Sequence, residues 1–325
     1  MLVQILILLI SLVILVWSAD KFVFGASSLA RNLGVSPMII GLTIVAMGSS
    51  APEMMIAATA SLEGHPNTAI GNAIGSNITN IALVLGITAL LHPLSVSSTT
   101  VKREIPLILA ITAIAWWMLS DQHFSFNEGL ILIIGFVIYI VTLLLITLKR
   151  AKNKPMNDAM IIEAEQEVPQ AIKTSKALFW LVIGFILLPL SAFYLVESAS
   201  FIARAFGISD LVIGLTVLAV GTSLPELAAS IMSILKKEDD LALGNIIGSN
   251  IFNILAVLSL TGLISPGEID AEVPIRDAPY MLGITLLLFI LCFGRRLGNF
   301  SISRFKGILL LMTFIGYQLL LFSQL

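Results

Sequence analysis

GSSAPE, residues 48–53, interrupts an otherwise apolar run from 38 to 60. An acid at the centre of a membrane helix costs about 2.5–3.5 kcal/mol on insertion scales, so it is rare without a partner or a task. Pro52 cannot donate to the carbonyl four residues back and its ring crowds that turn, so a helix breaks or kinks here. Freed carbonyls at membrane depth persist only where they face protein or line a wet cavity. The stretch therefore gathers the Glu53 carboxylate, the Ser49 and Ser50 hydroxyls and loose backbone oxygens. That is the outline of a hard-cation site.

The string returns at 221–226 as GTSLPE. An offset of 173 residues aligns the two halves without a gap from Ser27/Ser200 to Pro106/Pro279. Between Gly41/Gly214 and Pro93/Pro266, about two dozen of some fifty positions are identical. The identities include Pro52/Pro225, Glu53/Glu226, Asn72/Asn245, Gly75/Gly248, Ser76/Ser249, Asn77/Asn250 and Asn80/Asn253. They fall on polar residues that core packing alone would have let drift to Ala or Leu, so the chain is an internal duplication.

Composition sets the solvent. Of 325 residues, 58% are hydrophobic and 12% charged, whereas soluble domains carry about 25% charge. The chain reads as an all-α integral membrane protein. A net charge of −2 without a basic stripe excludes a nucleic-acid surface. The single cysteine, Cys292, excludes an internal disulfide and a thiolate metal cluster. His65, His92 and His123 fall near predicted helix ends, so no histidine cage forms. The apolar N-terminus lacks a basic n-region and a cleavage site and reads as a first span.

At about 20 apolar residues per span, ten spans are expected: 2–30, 36–62, 67–92, 104–120, 127–148, 175–205, 209–235, 240–264, 277–293 and 304–323. Ser36-Pro37 and Ser209-Asp210 read as matching helix caps. Basic residues concentrate in alternate connections, among them Arg31, Lys102, Arg103, Lys149, Arg150, Lys236, Lys237, Arg295 and Arg296. Those connections are predicted cytoplasmic, which puts both termini outside. Five spans per half then force the second half in upside down. The expectation is two inverted five-helix repeats, 1–148 and 175–325, carrying the motif regions 41–93 and 214–266. A cytoplasmic linker at 149–174 joins them. Transporters built this way hold substrate at the midplane between discontinuous helices.

Ser49 and Glu53 are four residues apart, as are Thr222 and Glu226, and so share a helix face. Asn72, Ser76 and Asn80 repeat every four residues, as do Asn245, Ser249 and Asn253. Calcium takes six to eight oxygens as a rule, from carboxylates, carbonyls, amides and water. Two glutamates supply two charges for one divalent cation. Hydroxyls, amide oxygens and carbonyls near Ala46 and Ala219 complete that shell or the smaller one of sodium. Without nitrogen or sulfur ligands, zinc and copper are disfavoured. Gly71/Gly75 and Gly244/Gly248 also suit close helix packing, but packing does not ask for the Asn and Ser beside them. Asp20 with Lys21 reads as a local pair, and Trp116, Trp117 and Trp180 as interfacial anchors.

The paired segments GSSAPE…GNAIGSNITN and GTSLPE…GNIIGSNIFN closely resemble the α-repeats of the sodium/calcium exchanger branch of the calcium/cation antiporter family. The resemblance covers nearly the whole chain and implies calcium at Glu53 and Glu226. It implies sodium ligands at Ala46, Ser49, Ser50, Ser76, Ala219, Thr222, Ser223 and Ser249, and central polar positions at Asn80 and Asn253. It also implies that the first and sixth spans move. Sodium-coupled relatives carry an Asp at one central position, whereas this chain has Asn at both. The expected function is calcium export against sodium by alternating access, with no enzymatic step and no resident cofactor. A proton-coupled or potassium-dependent exchange stands as the alternative, and a passive cation channel behind it. The expected location is the inner membrane, with a monomer sufficient for transport.

Overall fold

The structure, a computed structural model, describes residues 1–152, 172–207, 219–292 and 300–323. The polar core of the linker (153–171), the Ser209-Asp210 cap, the first part of the expected seventh span, and Arg295 with Arg296 lie outside the described residues. The described chain is helical: α1 (Leu2–Leu33), α2 (Pro37–Ser49), α3 (Ala51–Leu62), α4 (Pro66–Leu91), α5 (Ile105–Leu119) and α6 (Phe126–Lys152). The second half follows with α7 (Thr174–Ala205), α8 (Ala219–Gly221), α9 (Leu224–Leu235), α10 (Asp239–Ile264), α11 (Val273–Cys292) and α12 (Arg304–Phe322).

The 173-residue offset reappears in the backbone. It carries α3 onto α9, the π-helical turn Asn80–Val84 onto Asn253–Val257, and the π turn Thr100–Glu104 onto Val273–Asp277. Among the described residues seven helices are long and apolar enough to cross a membrane, or eight if the bent pair α2–α3 is one span. The expected count of ten includes helices shorter than that measure, α5 and α9 among them.

Several expected boundaries shift for identifiable reasons. α1 runs on to Leu33 and ends where Gly34, at φ 64°, turns its N–H onto the Ala30 and Arg31 carbonyls. Glycine adopts that left-handed conformation without steric cost. The fourth and ninth expected spans begin one turn early, at Thr100 and Val273. Their charges had marked those turns as loop, but Arg103 pairs with Glu104 at 3.3 Å and Arg276 with Asp277 at 2.8 Å. Internal pairing lets each turn continue the helix. Ser36 sits at the N-cap with Pro37 following, yet its hydroxyl caps nothing; its carbonyl accepts the Ile39 N–H.

Helices α1 and α7 lie along each other and pack on the rest through a second, smaller apolar core that includes Phe22, Val23, Leu181 and Leu188. Their approach requires glycine, because a Cβ on Gly25 would sit 2.6 Å from the Leu181 backbone nitrogen. Trp180, expected as an interfacial anchor, packs edge-on against Trp17 across this contact and lies under the Lys21 ammonium. The main core joins α3 to α6 with α10 to α12. Within it the Asn-bearing helices are innermost: 89% of the apolar window of α10 is buried, against 22% for α6. The outer face of α6, with Ile131, Ile134, Val137, Ile138 and Leu145, is exposed, as a lipid-facing helix requires.

Two short antiparallel pairs tie the connections. Strand β1 (Leu94–Ser95) pairs with β4 (Ser301–Ile302), and β2 (His123–Phe124) with β3 (Gly267–Glu268). Each joins a connection of one half to a connection of the other.

Candidate cation-binding site

The two Pro-Glu strings break their helices in the same way. Between α2 and α3 the axis bends by 46° at Ser50, whose φ and ψ are −85° and 12°. Ser223 holds the matching place before α9 at −88° and 6°. Proline then occupies the first turn, where its missing N–H is not needed. Glu53 and Glu226 follow in the first turns of α3 and α9. Backbone N–H groups are unsatisfied there and the helix dipole is positive. The break thus supplies a seat for a buried negative charge.

Both carboxylates are wholly buried and lie within Coulombic reach of one another. Contacts cross between the halves. The Ser50 hydroxyl donates to Glu226 Oε1 at 3.0 Å. Ser49 donates to Asn245 Oδ1 at 3.0 Å and meets the Ser249 hydroxyl at 3.2 Å. Within the first half, Ser76 donates to Glu53 Oε1 at 3.3 Å. The Ala46 carbonyl is not free, since it accepts the Ser50 N–H at 3.0 Å and the Ser49 hydroxyl at 3.3 Å.

The remaining oxygens stay unpartnered. Glu53 Oε2, Glu226 Oε2, the Thr222 and Ser223 hydroxyls, and both polar side-chain atoms of Asn80 and Asn253 are buried without a hydrogen-bond partner. A buried polar group left unmade costs about 1–3 kcal/mol, and a cation that took up these oxygens would relieve that cost. Asn80 and Asn253 each open a π turn, and π turns are frequent at functional sites. Ala219 opens α8. The donors are all oxygens, and among the described residues no group of three or more His, Cys, Asp or Glu comes together. Such a set suits calcium or sodium rather than a transition metal.

Asn245 was legible only as part of a repeated polar face, and the structure gives it a definite place. While Oδ1 accepts from Ser49, Nδ2 donates to the Glu226 carbonyl and the Ser230 hydroxyl, both at 3.3 Å. Its repeat mate Asn72 has Nδ2 unpartnered, as is the Thr222 hydroxyl that matches Ser49. Where α4 crosses α10, Asn77 Nδ2 donates to the Asn250 carbonyl at 3.3 Å, while Asn77 Oδ1 and both polar side-chain atoms of Asn250 are buried without a hydrogen-bond partner. A separate groove beside α11, lined in part by Arg276, Tyr280, Gly283 and Thr313, shares no residue with the site.

The chain matches the family model described as sodium/calcium exchanger protein over residues 3–145 and 176–323. It is 54% identical to the putative antiporter CaxA of Alkalimonas amylolytica over the full length of both chains. It is 40% identical to the inner membrane protein YrbG of Escherichia coli (strain K12), covering 97% of this chain and 95% of that one. Its backbone is similar to a solved structure of the sodium-calcium exchanger NCX_Mj, with a TM-score of 0.80 and 33% identity over 96% of each chain. A multi-pass helical membrane protein with paired carboxylates between its halves, this chain belongs to the sodium/calcium exchanger family.

Proposed function

We propose that the protein exports calcium in exchange for sodium by alternating access. The observation that carries this reading is the pair Glu53 and Glu226. They are wholly buried, seated on broken helices from the two halves, and each has one carboxylate oxygen unpartnered. Calcium binds both carboxylates. Sodium uses the same acids with the oxygens of Ser49, Ser50, Ser76, Ala219, Thr222, Ser223 and Ser249. Asn80 and Asn253 turn amide oxygens toward the centre. Competition for one pair of acids makes exchange obligatory, because carrying two bare carboxylates through low dielectric is expensive. Helices α1 and α7, packed on their own smaller core, are the moving layer.

Ten spans in two inverted five-helix repeats, 1–148 and 175–325, account for the contacts between connections. Strands β1 and β4, Ser95 with Asp239, and Arg31 with Glu238 all join predicted cytoplasmic connections. Strands β2 and β3, the Asn67 side chain with Asp270, and Trp116 with the Pro274 carbonyl join predicted outer ones. Both termini are then extracytoplasmic and the 149–174 linker cytoplasmic, in the inner membrane. One chain carries both carboxylates, so a monomer suffices.

Proton-coupled exchange on the same two glutamates is the second reading. It is favoured by Asn rather than Asp at positions 80 and 253, which leaves no third acid to share. Radiolabelled calcium uptake into proteoliposomes, with sodium, potassium and pH gradients imposed one at a time, separates the two. Uptake driven by sodium is expected; uptake driven only by a pH gradient selects the second reading. Glu53→Gln and Glu226→Gln are each expected to abolish calcium transport while the protein stays folded in the membrane. Wild-type flux in either variant would refute the ligand assignment.

A further inference from the structure

Between α11 and α12, away from the cation site, a groove encloses about 640 Å³, a volume typical of small-molecule sites. Its two ends differ. Glu272 and Arg276 stand at the mouth, where the connection from β3 enters α11. Below them the lining turns apolar, with Ile284 and Leu287 from α11 and Leu320 from α12. From Arg276 to Leu287 the helix rises about 16 Å, the depth of one leaflet of a hydrocarbon core about 30 Å thick. The flank around the groove opens toward lipid: Ile275, Leu286 and Ile290 on α11 and Met312, Ile315 and Leu319 on α12 are exposed.

The wall of the groove is held in place. The Tyr280 hydroxyl donates to the Thr313 carbonyl at 2.7 Å and the Tyr317 hydroxyl to Asp277 Oδ1 at 2.9 Å, with the two rings 4.9 Å apart. Asp277 in turn accepts from Nε and Nη2 of the Arg276 guanidinium. Gly283 keeps the groove open, since a Cβ there would meet no atom within 4 Å. The duplication supplies a comparison. Thr99, Leu107 and Ala110 stand in the first half where Glu272, Tyr280 and Gly283 stand in the second, so the inverted fold does not itself ask for these residues.

We propose that this groove binds one phospholipid whose headgroup carries a primary ammonium, a phosphatidylethanolamine, with an acyl chain laid along Gly283 and Leu287. Charge at the mouth selects the headgroup. Asp277 matches Arg276, which leaves Glu272 as the surplus charge; its carboxylate side chain is 58% exposed and lies 3.5 Å from Arg276 Nη1 in a loose pair. An ammonium beside a phosphate complements that pair, the ammonium donating to Glu272 and the phosphate lying against Arg276. A headgroup with net negative charge meets repulsion from Glu272, and a quaternary choline has no N–H to donate. Lipid tails are as apolar as the groove, so the acyl contact fixes the place and the headgroup carries the selectivity.

The test measures lipid binding to the purified full-length protein in detergent by native mass spectrometry. Phosphatidylethanolamine, phosphatidylcholine and phosphatidylglycerol with identical acyl chains are compared. Wild-type protein is expected to hold one phosphatidylethanolamine about tenfold more tightly than either other lipid, as one charge-assisted hydrogen bond allows. Glu272→Gln, which keeps the shape and removes the charge, should erase that preference. Gly283→Leu fills the groove from a position with open space around it, so it should release the lipid and leave the lipid-free Tm unchanged. Equal binding of the three lipids by wild type, or a Gly283→Leu protein that keeps its phosphatidylethanolamine, would overturn the proposal. Should Gly283→Leu fail to fold, Glu272→Gln still decides, because an undiminished headgroup preference there overturns the proposal too. Neither residue belongs to the cation site, so calcium transport stands or falls separately.

Discussion

At the scale of single residues, the site depends on which hydroxyls are held. Ser49 and Thr222 occupy matching positions, yet Ser49 is bound to Asn245 and Ser249 while Thr222 has no partner among the described residues. Asn245 positions Ser49 and braces the Glu226 carbonyl together. Asn245→Ala removes both contacts, and losing a buried hydrogen bond costs about 1–3 kcal/mol. The expected result is a rise of about tenfold in the apparent KM for calcium, a smaller change in maximal rate, and an unaltered elution profile in detergent. Asn245→Gln should recover little, since its amide is one methylene too far along; near-wild-type KM in Asn245→Ala would remove the residue from the site.

Among elements, the contact of α1 with α7 has the tightest tolerance. Gly25 faces the Leu181 and Ala177 backbone, and Gly184 faces Phe22. No side chain can swing aside at Gly25, because the obstructing atoms are main chain. Gly25→Val therefore forces the two helices apart, at about 1–3 kcal/mol for an overpacked contact. A lower Tm in detergent is expected, with transport falling further than stability if the pair moves as one layer. By contrast, Lys236 and Asp20 meet at 2.6 Å but are only half-buried. Exposed ion pairs contribute about 0.2–1 kcal/mol, so Lys236→Ala is expected to leave Tm nearly unchanged, and a loss comparable with that of Gly25→Val would contradict the packing account. Part of this level was legible beforehand. Hydropathy placed most helices to within a few residues, and Pro52 placed the break. It missed the π turn that leads into α5 and the opening turn of α11, because a hydropathy sum counts Arg103, Glu104, Arg276 and Asp277 as four charges rather than two neutral pairs.

Across the whole molecule, the orientation is open to direct labelling. Cys292, the single cysteine, is wholly buried, so added cysteines report without background. Glu63→Cys, in the exposed turn after α3, is expected to react with a membrane-impermeant maleimide on intact cells. Ser98→Cys, exposed in the connection after α4, should react only once the membrane is opened. The reverse pattern would turn the molecule over.

The sequence by itself determined the solvent, the duplication and the chemical inventory. Spans are local sums over about 20 residues, and two copies of GSSAPE and GTSLPE announce themselves wherever they fold. Tertiary structure alone decided that α4 and α10 are innermost, that Ser50 reaches Glu226 across 176 residues of chain, and that Asn245 rather than Asn72 holds its hydroxyl. Such contacts depend on how each helix is rotated and how closely its neighbours pack. No local pattern encodes that rotation, and a duplicated sequence is by construction silent about which half is engaged.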